Sequence, residues 1–179
     1  MANYAITNST VFAGTTPIAA TATYATILLV GPTSAALNNP AYPALRRGRI
    51  YDLLVGTAGT PADFSYEWEV VRTTAMGSTN TTAPAGSMSS VSSGLALDSA
   101  DTGCAAYTLN NSSAGGEANM PAGAQLWYVG INQRASYRWV AAPGSELVWP
   151  ATSSLGLALK MRSVSGGTAV ATGTILFSE

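Results

Sequence analysis

Histidine is absent from the sequence, cysteine occurs once, and charged side chains are scarce. Eight basic and nine acidic residues make up 9% of the 179 residues, where a soluble domain usually carries about 25%. Without histidine the chain cannot form Ser-His-Asp or Cys-His nucleophilic machinery, or a zinc site with histidine ligands. Cys104 alone can form neither an intrachain disulfide nor a four-cysteine metal site. We therefore expect a protein with no cofactor, no metal and no enzymatic activity.

The sequence carries no strong excess of charge of either sign, and we expect no targeting segment. Its net charge is −1, so we expect no attraction to nucleic acid or to an anionic membrane. Residues 1–4 have neither the basic nor the apolar region of a signal peptide, and the apolar run at 25–30 is too short to span a bilayer. The shortage of cysteine fits folding in a reducing cytoplasm. A surface with little charge favours association with other proteins.

The sequence does contain a clear period-two alternation of apolar and polar residues. Between residues 65 and 70, aromatic or aliphatic residues alternate with serine and glutamate, which places the two kinds on opposite faces of a strand. The pattern predicts strands near 3–8, 20–30, 47–56, 64–73, 104–111, 124–133, 136–141 with 145–149, 154–163 and 168–178. Helical periodicity is nearly absent. A helical turn capped by Asp98, or a polar turn, is expected at 98–101.

Long polar segments rich in Gly, Pro, Asn, Ser and Thr separate the predicted strands at 31–44, 74–94 and 112–123. No repeat or linker divides the chain, so we expect one domain over residues 1–179. Short strands with long loops and no helical crossovers predict an all-β antiparallel sandwich or barrel. The number of strands favours a jelly-roll-like β-sandwich. The alternative is an immunoglobulin-like sandwich, which often carries a Cys…Trp…Cys pattern that is missing here.

Two clusters of arginine are candidate protein-interaction sites. The first lies just before the strand segment 50–55, where it forms either a solvated strand entrance or a docking point for an acidic partner surface. The second lies in residues 126–150, which hold three of the four tryptophans. Interleaved arginine and aromatic residues are typical of protein interfaces, but they also occur in nucleic-acid or sugar sites and as core aromatics beside paired arginines. The candidate interface residues are Arg46, Arg47, Arg49, Arg134, Tyr137, Arg138 and Trp139.

A pair of carboxylates is the remaining candidate for chemistry. Glu67 and Glu69 lie on one face of a predicted strand, about 7 Å apart by strand geometry. That spacing is compatible with the acid and base of a glycosidase. The simpler interpretation is a pair of acids on the solvent face of the strand.

Three blocks of the sequence resemble small virion proteins of tailed bacteriophages. They are residues 2–9 (ANYAITNS), 45–56 (LRRGRIYDLLVG) with 60–63 (TPAD), and 131–144 (INQRASYRWVAAPG) with 146–147 and 150–152. The resemblance implies a capsid decoration or cement protein of β-sandwich fold that assembles as a homotrimer and clamps neighbouring subunits of the major capsid protein. It also implies a location on the capsid surface, after synthesis in the bacterial host cytoplasm, and it carries no catalytic residues.

Several functions from different classes therefore stand side by side. The leading hypothesis is a decoration protein that binds the outside of a phage head and stabilises the shell as a homo-oligomer. The alternatives are a tail- or fibre-associated module that recognises host glycans, a capsid-forming jelly-roll protein, and a hydrolase that uses Glu67 and Glu69.

Overall fold

The computed structural model describes residues 3–7, 22–30, 47–60, 62–73, 93–96, 104–108, 122–152, 155–167 and 169–178. Within these ranges the chain forms strands and turns, and it contains no helix of the length and apolarity that a membrane span requires. The strands are β1 (Asn3–Thr7), β2 (Ala25–Val30), β3 (Gly48–Ala58), β4 (Ser65–Thr73), β5 (Ser93–Ala96), β6 (Cys104–Thr108), β7 (Ala122–Asn132), β8 (Tyr137–Val140), β9 (Leu147–Trp149), β10 (Leu157–Ser163) and β11 (Val170–Ser178).

The strands form two antiparallel sheets. Sheet 1 has the order β5-β1-β11-β3, and the other edge of β3 pairs with both β8 and β9. Sheet 2 has the order β7-β4-β10-β2-β6. A short pairing of β5 with β6 joins the two sheets along one side. On the other side a turn connects β7 to β8, and the rings of Trp127 and Tyr137 meet with their centroids 6.0 Å apart.

The strand pairing is that of a jelly roll. Eight strands remain when β5 and β6 are set aside and β8 with β9 is treated as one interrupted strand. The first then pairs with the last, the second with the seventh, the third with the sixth and the fourth with the fifth. Rolling one long antiparallel hairpin into two sheets produces this order. The predicted jelly-roll-like sandwich is confirmed. The immunoglobulin-like alternative is wrong, because it needs the first two strands in one sheet, whereas β1 and β2 lie in different sheets.

The alternation in the sequence builds the core between the sheets. On β4, Tyr66, Trp68 and Val70 are fully buried. On β11, the buried Ile175 and Phe177 alternate with half-buried residues. Each fully buried large apolar side chain stabilises the fold by about 1.5–3 kcal/mol relative to exposure. The core residues come from both sheets, so burial holds the two sheets face to face.

One close approach in this core requires a glycine. Trp149 of β9 is fully buried and meets Phe177 edge-on, with centroids 5.6 Å apart and planes inclined by 62°. Gly48 pairs directly opposite Trp149, and the indole covers it. The three atoms nearest to a Cβ built on residue 48 all belong to that ring, and the third of them, Cε2, would lie only 2.5 Å away. Glycine is therefore needed here for space.

The observed strands depart most from the predicted ones in three places. β2 begins at Ala25, after a bend at residues 22–23. β5 was not predicted; it begins in the last two residues of the segment 74–94 and continues to Ala96. β7 begins inside the segment 112–123. The predicted turn at 98–101, the loop at 31–44 and the rest of the other two loops lie outside the described residues.

Candidate protein-interaction surface

The outward side of sheet 1 is a four-stranded surface, here called the open face. Its members share a face because residues two apart on a strand point the same way, and the registers of β1, β11, β3 and β8 align them in rows. Leu54 is 44% exposed and Val140 is 58% exposed. The open face consists of Thr7, Arg49, Asp52, Leu54, Arg138, Val140, Thr172, Thr174 and Leu176.

An ion pair neutralises the centre of the open face. Asp52 is only 4% exposed, and Arg138 reaches it diagonally from β8. The Arg138 Nε donates to Asp52 Oδ1 at 3.1 Å and to Oδ2 at 3.2 Å, and Nη2 donates to Oδ2. Hydrogen bonding to Asp52 and the charge of its carboxylate raise the pKa of Arg138 above its ordinary value. Because a buried carboxylate without a partner is costly, Arg138 lets Asp52 lie among Leu54 and Val140.

A second group of charges lies at the start of β3 and in the residues just before β9. Arg49 donates from Nε to the Ser178 hydroxyl at 3.1 Å, and its Nη1 lies 3.8 Å from Glu146 Oε1. Backbone N–H groups of Glu146 itself and of Gly144 lower the pKa of the Glu146 carboxyl. Arg47 is exposed just before β3. Arg47, Arg49 and Glu146 line a common cavity of about 360 Å³.

The structure separates the remaining candidate interface residues. Arg134 lies in the turn after β7, where its Nε donates to Asp63 at 2.8 Å and both side chains are exposed. Tyr137 is 40% exposed at the rim and contacts Trp127. Trp139 is partly buried against the core, on the inner side of sheet 1. Arg46 lies outside the described residues.

The outer face of sheet 2 carries a hydrogen-bond network around Glu67. Tyr128 donates to Glu67 Oε1 at 2.8 Å, Tyr24 donates to Oε2 at 3.3 Å, and the Arg162 Nε also donates to Oε2. The Arg162 guanidinium lies 4.8 Å from the centre of the Tyr24 ring. The hydrogen bonds from Arg162 and then Tyr128 lower the pKa of Glu67. Burial, followed by the charges of Glu69 and Glu67, raises the pKa of Tyr24 to about 12.

This network changes the interpretation of the two strand glutamates. Glu69 was expected on a solvent face, but it is only 8% exposed, and its Oε2 accepts from Gln125 at 2.7 Å. It lies directly opposite the buried Lys160. A glycosidase acid needs a raised pKa so that it holds its proton, so the lowered pKa of Glu67 does not suit it for that role. Around Glu67 the side chains form a hydrogen-bond network on a sheet face.

Within the described ranges, no three metal-ligating side chains of the Cys, His, Asp and Glu types come together. Comparison of the chain with protein-family models, with curated proteins and with solved structures found no match.

The sequence pattern indicated the arginines but not the carboxylates that pair with them. Asp52 and Glu146 were not singled out as partners of Arg138 and Arg49. The exposure of Leu54 and Val140 was also not predicted. The pairing register of β3 with β8 determines which of their residues face outward, and no local sequence pattern shows that register.

Proposed function

We propose that this chain is a structural protein of a tailed-phage virion that decorates the outside of the head and stabilises the shell as a homo-oligomer. The observation that carries the proposal is the open face. It combines exposed apolar side chains, threonines and an ion pair whose two charges neutralise each other.

The composition of the open face suits contact with protein. Interface centres are depleted in unpaired charge and contain apolar side chains. The exposed Leu54 and Val140 and the half-buried Leu176 supply the apolar area, and the Asp52–Arg138 pair leaves no net charge between them. Arginine is also frequent among the residues that dominate binding energy. The sequence resemblance to decoration proteins points to the same class of function, independently of the open face.

Low overall charge supports assembly in many copies. With a net charge of −1, neighbouring copies on a lattice do not repel one another strongly. A trimer that engages several shell subunits at once would bind with higher avidity than one copy, so each contact can be modest. Binding to the assembled shell and not to its dissociated state would stabilise the shell by mass action.

The test is binding to phage heads that lack this chain. Purified protein should bind such heads and raise their heat and osmotic resistance. Val140→Asp, which places a charge on the open face, should weaken binding at least tenfold. Val164→Asp is the matched control, because Val164 is 55% exposed in the turn after β10, away from the open face. No binding of the unmodified protein, or equal loss in both variants, would contradict the proposal.

The topology also favours a capsid-forming protein, since jelly rolls build many viral shells. Fold alone does not assign function, so an assembly experiment is needed to separate the two functions. Formation of closed shells by the purified chain without any other protein would favour this second function over decoration.

The glycan-binding alternative has a specific candidate residue in the structure. Tyr128 is 50% exposed beside Glu67 and Arg162, and jelly rolls also form lectin domains. Binding on a glycan array that is lost in Tyr128→Ala, with head stability unaffected, would favour host recognition. Trp139 is a weaker probe, because it is partly buried against the core.

A further inference from the structure

The cavity beside the open face presents an unequal set of charges. It is lined by Arg47, Gly48, Arg49, Gly144, Glu146, Val148 and Ser178. Two guanidinium groups therefore meet one carboxylate among these residues. The volume of about 360 Å³ is near the lower end for ligand sites, which suits a side chain or a short segment better than a large ligand.

The Glu146 carboxylate is already provided with partners. Backbone N–H groups of Glu146 and Gly144 lower its pKa, and Arg49 lies 3.8 Å from it. Its charge is therefore offset from within the fold. Arg47 differs, because the described part of the chain supplies its exposed side chain with no hydrogen bond or ion pair. Among the described lining residues, the positive charge without a partner is thus that of Arg47.

We infer that this cavity receives an acidic side chain, glutamate or aspartate, of a protein partner, and that Arg47 and Arg49 bind its carboxylate. Arginine matches the planar carboxylate with two parallel N–H donors. Val148 and the backbone at Gly48 offer apolar contact to the methylene carbons. The inference rests on the proposed function only for the identity of the partner, the major capsid protein.

The charge balance favours a carboxylate over a phosphate. The described lining residues carry one net positive charge, which matches a single negative charge. A phosphate monoester carries about −1.5 to −2 at pH 7, so it would leave more negative charge uncompensated beside the Glu146 carboxylate. An acidic side chain is therefore a better fit than a phosphate monoester.

The first experiment uses a capped tetraglutamate peptide as the probe, with binding measured by calorimetry or by NMR shifts. Saturable binding of this peptide is expected, with tetraglutamine showing none and inorganic phosphate at least tenfold weaker. Phosphate binding as tight as the peptide, or no saturable peptide binding, would overturn the inference.

Two matched pairs of variants separate the cavity from general charge effects. Arg47→Gln should weaken peptide binding about tenfold, because it removes a charge-assisted hydrogen bond. Arg134→Gln makes the same charge change on the distant pair with Asp63 and should have little effect. Glu146→Gln should tighten binding, because it removes a competing charge and keeps an acceptor oxygen, whereas Asp63→Asn should not. Equal effects within each pair would refute the site.

Binding to phage heads then distinguishes this inference from the proposed function. If the unmodified protein binds heads and Arg47→Gln binds them equally well, the cavity has no role and decoration stands. If the peptide binds at the cavity while heads do not bind at all, the cavity stands and decoration fails.

Discussion

Replacing Gly48 by alanine tests the packing that supports both the core and the arginine cavity. Gly48 lies between Arg47 and Arg49 and directly opposite Trp149. A Cβ at this position would overlap the buried indole, since even the ring atom Cε2 would lie 2.5 Å away. Carbon atoms normally rest about 3.5–4.0 Å apart, so the ring has to retreat by at least about 1 Å.

The loss of stability in Gly48→Ala depends on how much room the Trp149 ring has to move. Trp149 is fully buried and packs against Phe177, so its ring has no solvent side to move into. Overpacking of a core typically costs about 1–3 kcal/mol, and a buried indole places Gly48→Ala near the upper end. Alanine regains about 0.5–1 kcal/mol because glycine loses more backbone entropy on folding. The net loss is about 2 kcal/mol, which lowers Tm by about 4–8 °C in a chain of this size.

Urea unfolding followed by far-UV circular dichroism measures this loss. Gly130→Ala is the matched control, because it makes the same change in a strand where the nearest atom, the Tyr128 hydroxyl oxygen, would be 3.8 Å away. It should be neutral or slightly stabilising. Trp149→Phe should reduce the additional cost of Gly48→Ala, because the smaller ring leaves space. A Gly48→Ala protein within 0.5 kcal/mol of the unmodified one would refute the reasoning.

Three further predictions concern sheet 2 and its neighbouring turn. Tyr24→Phe should flatten the loss of stability between pH 10 and 12: the pKa of Tyr24 is raised to about 12 in the fold, so its contribution is complete below pH 10 and disappears as pH rises through 12. Glu67→Gln should lower stability at pH 7, and its difference from the unmodified protein should shrink as pH falls below the ordinary value of 4.5. Gly167→Ala should cost about 1–3 kcal/mol, because its Cβ would lie 2.5 Å from the Phe64 ring.

Each of these three predictions has an outcome that would contradict it. Unfolding curves recorded against pH would contradict the first two if Tyr24→Phe kept the full alkaline slope, or if the deficit of Glu67→Gln grew toward acid pH. The alkaline slope should fall only in part, because the pKa values of Tyr51, Tyr66 and Tyr128 are raised as well. A fully stable Gly167→Ala would show that the turn after β10 adapts without strain.

The sequence predicted the principal strands well because alternation and burial coincide in them. From Tyr66 to Val70 on β4, and along β11, every second residue enters the core, so the pattern and the fold carry the same information. β5 was missed for a physical reason. Its sequence, Ser-Gly-Leu-Ala, has no β-branched residue and contains glycine, so it has little intrinsic tendency to form a strand. Its pairing with β1 and β6 is a tertiary effect.

The candidate site was predictable only in part. Arg47 and Arg49 share a cavity, but Arg134 and Arg138 are separated because the first lies in a turn and the second on the open face. Leu53 and Leu54 are adjacent leucines on β3, and no local pattern says which of them enters the core. The register shift in the pairing of β3 with β11 and the pairing with β8 decide this. Such facts depend on contacts between distant segments.

The interrupted edge of sheet 1 has a consequence for strand addition at that edge. β8 and β9 follow the same edge of β3, but they offer only four and three residues in line, and the turn at 141–146 separates them. An exposed straight edge would let another chain add a strand and start an unlimited ribbon. A protein with so little charge has weak electrostatic protection against that outcome. At this edge the break leaves only short runs of backbone donors and acceptors, so copies that met here would do so through side-chain contacts, which can stop at a defined number of copies.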